Sequence, residues 1–247
     1  MIKLSDYSCD APSNLDKGDI KDKTKEMVDQ IGELQEVMLA EKKHSLLIVY
    51  QGMDASGKDG ATGKVFKECH PGGLSVTSFK KPTEEEMDHD FLWRIHKHAP
   101  RKGMIQIFNR SHYEDILIQR VHEWIDMKTV EKRMRSINAF ERLLVEDNHT
   151  TILKFYLHIS FEQQEIELKE RLNELDKHWK HNDNDWNERG HWNDYVKAYE
   201  YVFNHSDIPW HIIPVDQRWY RDYMIANIVL KTLKDMNLTY PKLKSNL

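Results

Sequence analysis

Two hydrophobic periods alternate along this chain, one of a buried strand and one of an amphipathic helix. Leu46-Leu47-Ile48-Val49-Tyr50 is an unbroken apolar run, which suits a parallel strand buried on both faces. Leu74 to Phe79, Met104 to Phe108, Thr151 to His158 and Trp210 to Val215 predict four more strands. Between them the spacing is helical. Met27, Ile31, Leu34, Val37 and Met38 fall on one face of a helix over Ile20 to Glu41. Lys58 to Cys69 predicts a helix with Val65 and Phe66 turned inward. Thr83 and Glu86 form a capping box, opening a helix to about His98 that buries Met87, Phe91, Leu92 and Ile95. Ser160 and Gln163 have the spacing of a second capping box. Further helices are expected over Lys128 to Asp147, Trp192 to Phe203 and Trp219 to Met236, the last with Ile225, Ile228, Val229 and Leu233 inward. Strands alternating with helices argue for a parallel sheet covered on both faces, a three-layer α/β/α fold with five strands.

Residues 1 to 20 are polar, contain Pro12 and Gly18 and show no period, so they read as an arm ahead of one domain over 21–247. Composition adds limits. The net charge is −5, which argues against a nucleic-acid binder held by a basic surface. Yet Lys58 to Arg110 holds ten Lys/Arg against seven Asp/Glu, a local excess suited to a polyanion. Cys9 and Cys69 have neither ligand spacing nor a disulfide framework, consistent with a reducing, cytoplasmic setting. No apolar segment approaches the roughly 18 residues of a membrane span, and no leader pattern is seen, so a soluble protein is expected.

The chemistry concentrates where the first strand ends. Gly52-Met53-Asp54-Ala55-Ser56-Gly57-Lys58-Asp59-Gly60 has the spacing of a phosphate-binding loop, G-x-x-x-x-G-K. Backbone N–H groups and a helix N-terminus would face a shared anion, with Lys58 adding charge. Asp59 replaces the usual Ser or Thr, and Asp54 adds a second carboxylate. The third strand ends in Asn109-Arg110-Ser111-His112-Tyr113-Glu114, six polar groups that must meet solvent, a ligand or each other. Asn109 stands where an Asp often holds the metal. Lys80-Lys81-Pro82 follows the second strand at the sheet edge where ligands bind. Arg171 to Arg189, with Lys177, Lys180, His178, His181 and two tryptophans, suits a mobile lid over phosphates or an exposed loop. His178, His181 and His191 lack metal spacing and read as polar surface.

These segments resemble the polyphosphate kinase 2 family over about residues 25 to 236. The likeness lies in Gly52 to Gly60, Lys81-Pro82, Asp90-Phe91-Leu92-Trp93-Arg94 and Phe108 to Glu114. It continues in Lys177, Trp179, Lys180, Trp192, Tyr195, Pro209-Trp210 and Asp216. Leu175 and Arg218 depart from it, standing where proline and lysine are common. The resemblance implies a P-loop kinase-like fold with a helical lid at about 171–190. It implies reversible Mg²⁺-dependent transfer, with Mn²⁺ as a substitute, between inorganic polyphosphate and nucleotides. The Phe108 to Glu114 segment is similar to the class accepting both mono- and diphosphates: AMP and ADP, with GMP and GDP as further purine candidates. Carried over by resemblance, Asp54 and Asp59 serve the metal and Lys58 the transferring group. Lys81, Arg110 and Glu114 take the nucleotide side, joined by Asn109 and the loop residues Gly52, Met53, Ala55, Ser56, Gly57 and Gly60. Arg171, Lys177 and Lys180 close on the phosphate chain. A homo-oligomer, dimer or tetramer, is expected, with no nucleic-acid or membrane partner. An ATP-dependent nucleoside monophosphate kinase remains as an alternative, because both enzymes need the same cradle. A nucleotide-sensing module without turnover is a second, against which Lys58 and the two loop carboxylates speak.

Overall fold

The computed structural model describes residues 1–243, so the last four positions of the expected 21–247 domain lie outside the described residues. Five parallel strands form one sheet: β1 (Ser45–Gln51), β2 (Leu74–Ser78), β3 (Ile105–Asn109), β4 (Thr150–His158) and β5 (Trp210–Pro214), in the order β2-β3-β1-β4-β5. Every residue of β1 is buried, as its apolar run requires at the centre of the sheet. Pro214, which cannot donate to a ladder, sits in the edge strand β5. The register pairs Tyr50 with Asn109 and with Phe155, so β1 and β3 end side by side while β4 runs on past them to His158.

Among the described residues ten α-helices precede, connect and follow the strands: α1 (Lys17–Glu41), α2 (Lys58–Val65), α3 (Glu84–Met87), α4 (Trp93–His96), α5 (Ile118–Val121), α6 (Met127–Asn148), α7 (Phe161–Asn173), α8 (Asn184–Arg189), α9 (Trp192–His205) and α10 (Arg218–Asp235). Strand alternation sorts them into layers. Tyr50 stacks on Phe155 and lies on the side of α10, where α1, α2 and α10 pack together. Lys154 and Tyr156 point the other way, to Glu141 of α6 and to Tyr199 and Phe203 of α9. The sheet is thus sandwiched between two helical layers.

Several local expectations need correction. α1 starts three residues before Ile20 because the Asp16 side chain accepts from Asp19 N–H. α2 stops at Val65, since Phe66 leaves helical geometry (φ −110°) and enters the core. The Thr83–Glu86 capping box is present, but the helix does not run to His98. The Asp90 side chain accepts from Leu92 N–H, a local turn that competes with the helix and splits it into α3 and α4. Met87 is consequently 59% exposed instead of buried, while Ile95 is fully buried. At α7 only half of the second capping box forms. Ser160 Oγ caps Gln163 N–H, but the Ser160 N–H goes to Asp216 Oδ1. Residues 1–16 lie against the domain: Leu4 is buried, its N–H donates to Glu200 Oε1, and Ala11 N–H donates to Gln217 Oε1.

Candidate active site

The connection leaving β1 leads toward the edge strand β2, and that leaving β3 leads to β4 on the other side of β1. Such a point of divergence at the C-terminal ends of parallel strands is where open α/β sheets bind ligands. Both polar segments singled out in the sequence sit there, side by side.

The first is the loop Gly52–Gly57. Two glycines in it are required by geometry. At Gly52 (φ +151°) a Cβ would lie 2.7 Å from Leu157 O, and at Gly57 (φ +87°) it would lie 2.3 Å from Arg221 Nη1. Ala55 adopts the left-handed conformation too (φ 64°), and Ser56 N–H donates to Met53 O. Met53 and Ser56 are buried beneath the turn, while Gly60 is exposed in the first turn of α2. Lys58 folds back over the loop. Its Nζ donates to Gly52 O (2.9 Å), Met53 O (3.2 Å) and Ser56 Oγ (3.3 Å). One flank of Lys58 stays open, but the ammonium itself is enclosed. Burial, and then Arg110 nearby, lower its pKa to about 8, against the pull of Asp54, Glu114 and Asp59.

The second segment supplies the partners. Asn109 Nδ2 donates to Asp59 Oδ1 at 2.6 Å. Arg110 takes the left-handed conformation (φ 60°), its N–H donates to Tyr50 O, and Nη2 donates to Asp54 Oδ1 at 2.6 Å. Glu114 and then Asp54 hold the Arg110 pKa above its ordinary value. Glu114 itself is pushed up by burial, against the pull of Arg110 and Lys58. Gln51 lies between Ser111 and Glu114, its amide nitrogen 2.9 Å from Glu114 Oε1. The six polar groups therefore divide. Asn109, Arg110 and Glu114 serve the loop side, while Ser111, His112 and Tyr113 are fully buried and hydrogen-bonded beneath it.

A cavity opens at the Gly52–Asp54 end of the loop beside Arg110 and Glu114; Lys58, Asp59 and Asn109 are not among the residues that line it. Gly52, Met53, Asp54, Arg110 and Glu114 form its floor, and Trp192, Tyr195 and Tyr199 of α9 contribute an aromatic wall. The 171–190 segment provides the opposite side with Asp185, Glu188 and Arg189. Arg171 Nη1 donates to Asp185 Oδ2 at 2.7 Å. Burial and the nearby Asp54 push the Asp185 carboxyl up to about 6, against the pull of Arg171. Arg189 donates to Gln164 Oε1 (3.0 Å), and Gln164 Nε2 donates to Asp54 O (3.0 Å), so this segment reaches the loop through one glutamine. Glu188 accepts from Tyr195 OH at 2.6 Å and meets His122 Nε2 at 3.0 Å.

Not every expected residue lines the cavity. Lys81 is exposed on the loop after β2 and does not border it. Lys177 Nζ donates to Glu170 Oε2 and pairs with Glu174, and Lys180 Nζ lies over the Trp179 ring. Arg218 donates to Glu167 and Glu170, joining the same charged surface. Of the histidines in that segment, His178 meets Leu172 O and His181 meets Asp183. Conversely, the sequence reading passed over Gln164, Asp185, Tyr199 and Arg221. Arg221 is 4% exposed, donates to Gly57 O (3.1 Å) and is itself held by Asp222. The only sequence signal for it was an arginine on the inward face of a closing helix.

The donor set fits a hard divalent cation. Asp59 and Asp54 offer carboxylate oxygens at the loop, and Asn109 Oδ1 is a buried oxygen without a partner beside Asp59. Among the described residues no group of three or more His, Cys, Asp or Glu is arranged to hold a metal. A hard cation such as Mg²⁺ commonly takes one or two carboxylates and completes its shell with water and substrate phosphates.

Known proteins are similar to this chain in sequence and architecture. An AMP/ADP-polyphosphate phosphotransferase of Meiothermus ruber is 43% identical over 216 residues, 86% of this chain and 80% of the relative. An ADP-polyphosphate phosphotransferase of Rhodopseudomonas palustris is 36% identical over 230 residues, covering 87% and 79%. The crystal structure of polyphosphate kinase 2 from Arthrobacter aurescens superposes with a TM-score of 0.95 at 37% identity, covering all of this chain and 90% of that one. The polyphosphate kinase 2 family model matches residues 14–241, and the chain belongs to that family.

Proposed function

We propose that this chain transfers phosphoryl groups reversibly between inorganic polyphosphate and purine nucleotides, accepting nucleoside mono- and diphosphates (AMP and ADP, with GMP and GDP as candidates). The observation that carries this reading is the pairing of two fixed cations at the mouth of the loop. Lys58 is held by loop carbonyls and Arg110 by Asp54. Phosphoryl transfer asks mainly for positioning and neutralisation of charge, and these groups provide both. The breadth toward acceptors rests on the Phe108–Glu114 segment and on the names of the relatives above.

In this scheme the N–H groups of Gly52–Gly60 cradle the donor phosphates and Lys58 neutralises the transferring group. The acceptor's terminal phosphate oxygen, already ionised, is the nucleophile and needs no protein base. Arg110 orients it, with Glu114 and Asn109 fixing the nucleotide side and Lys81 approaching from the β2 loop. Mg²⁺, or Mn²⁺ in its place, would be held by Asp54 and Asp59 and would supply Lewis-acid neutralisation of the phosphate oxygens. Arg171, Lys177 and Lys180 act as a lid, exchanging their present carboxylate and aromatic partners for the phosphate chain. A cytoplasmic homo-oligomer is the proposed state. Among the described residues no helix is long and apolar enough to cross a membrane.

The test is donor exchange. With ADP, Mg²⁺ and polyphosphate as the only donor, ATP should form. Turnover with ATP and AMP but none with polyphosphate would leave a nucleoside monophosphate kinase; binding without any turnover would leave a sensing module.

A further inference from the structure

Beneath the site lies a second charged group that the transfer scheme does not use. Lys154 of β4, Glu141 of α6, and His112 and Tyr113 after β3 meet in the core, each at most 1% exposed. Lys154 Nζ donates to Glu141 Oε2 (2.7 Å) and to Tyr113 OH (2.6 Å). Tyr113 OH donates to Glu141 Oε1 (2.8 Å), and His112 Nε2 stands 3.2 Å from the same oxygen. The network reaches the end of α9 and the start of β5 through Ser206, which lies 3.3 Å from Tyr113 OH and accepts from Trp210 Nε1. Glu141 stays below its ordinary pKa even though burial raises it, because His112 and Lys154 outweigh that effect. Burial lowers Lys154 against the pull of Glu141. The short contacts identify an ionised pair.

Apolar side chains of similar volume often stabilise a core as well as a buried ion pair does, so stability is a weak reason for this one. Its position supplies another. His112 and Tyr113 occupy the turn His112–Asp115, directly between Arg110 and Glu114. Arg110 is left-handed, a conformation that persists only when its surroundings fix it. Ser111 Oγ caps Tyr113 N–H, and Glu114 N–H donates to Ser111 O, so a shift of Tyr113 is transmitted to both cavity-facing side chains.

We propose that Glu141 and Tyr113, with Lys154 as their counter-charge, are positioning residues that aim Arg110 and Glu114 at the nucleotide. The inference rests on the nucleotide-side role proposed for Arg110 and Glu114. Its test compares Tyr113→Phe and Glu141→Gln, both close in shape to the originals, with Arg110→Ala as reference. Each protein is assayed for KM toward ADP and toward polyphosphate, with the thermal midpoint measured in parallel. Loss of stability alone reduces the amount of active protein and leaves the KM of the folded fraction unchanged. The expected result is a fivefold or larger rise in KM for ADP in both variants, with KM for polyphosphate within twofold of the parent. KM for ADP within twofold in both, even with a lowered midpoint, would overturn the positioning role. If Arg110→Ala also leaves KM for ADP unchanged, the nucleotide-side reading itself fails, and the positioning role falls with it.

Discussion

Asn109 Nδ2 donates to Asp59 Oδ1 at 2.6 Å, so the end of β3 gives the loop carboxylate a hydrogen bond where a second carboxylate would repel it. Asn109 is neutral, so the carboxylate in this contact between β3 and the loop is the loop's own Asp59. The proposed scheme accordingly gives metal holding to Asp54 and Asp59, with Asn109 in support.

That division has unequal consequences. Asp54→Asn and Asp59→Asn should each lower kcat about a hundredfold or more, the scale of losing one preorganised charge. Asn109→Ala removes one hydrogen bond to a charged group, about 1.5 kcal/mol, and should cost roughly tenfold. Steady-state kinetics over a range of Mg²⁺ concentrations checks this, and equal losses in all three would contradict it.

Lys58 predicts a pH dependence. Its pKa is lowered from 10.5 to about 8, burial being the first cause. The charge that neutralises phosphate is present below that value and lost above it. In the free enzyme, kcat/KM for polyphosphate should fall about tenfold per pH unit above about 8. Folding responds with the opposite sign. Between about 8 and 10.5 the unfolded chain holds the proton that the folded chain has released, so this group's contribution to stability rises across that window. A kcat/KM profile flat to about pH 9.5 would contradict the assignment.

Gly57 and Arg221 fit against each other. Gly57→Ala places a Cβ 2.3 Å from Arg221 Nη1 at φ +87°. Arg221 has little room to retreat, because Asp222 accepts from its Nε and Nη2. The left-handed backbone alone costs an alanine about 1–2 kcal/mol, so the thermal midpoint should drop, with nearly complete loss of turnover. Retained turnover in Gly57→Ala would show that the loop does not depend on this geometry.

The 171–190 segment should act on the donor. Lys177→Ala with Lys180→Ala removes two surface charges, Lys177 half-buried between Glu170 and Glu174 and Lys180 exposed. Each is worth up to about 1 kcal/mol in a contact, and the double change should raise KM for polyphosphate about fivefold. KM for nucleotide should stay nearly constant. The effect should shrink at high salt, where exposed charges are screened within a few ångströms. A rise confined to the nucleotide KM would assign these lysines to the other substrate.

The sequence made the frame legible where one local cause dominates. The Leu46–Tyr50 run could be buried on both faces only in a central strand, and β1 is that strand. The glycine and lysine spacing made the loop legible, although the close approaches that exclude a Cβ at Gly52 and Gly57 come from Leu157 and Arg221, far away in sequence. Prediction weakened where a side chain diverts the backbone, as Asp90 does when it splits the helix after Thr83. It failed where partners are far apart in sequence. Gln164 meets Asp54, Arg221 meets Gly57 and Lys154 meets Glu141 only once the sheet and helices are assembled. Lys154 had one legible signal, a charge in the middle of an otherwise apolar strand, which a buried partner must offset.

The most direct measurement is a time course from AMP. Purified protein is incubated with AMP, Mg²⁺ and polyphosphate as the only phosphoryl donor, and nucleotides are separated at intervals. Transfer from polyphosphate to acceptors of either length at one cradle predicts ADP first and ATP after it, with both formed about a hundredfold more slowly, or slower still, in Asp59→Asn. ADP accumulating alone, with no ATP even from supplied ADP, would contradict the account and leave a kinase restricted to monophosphates.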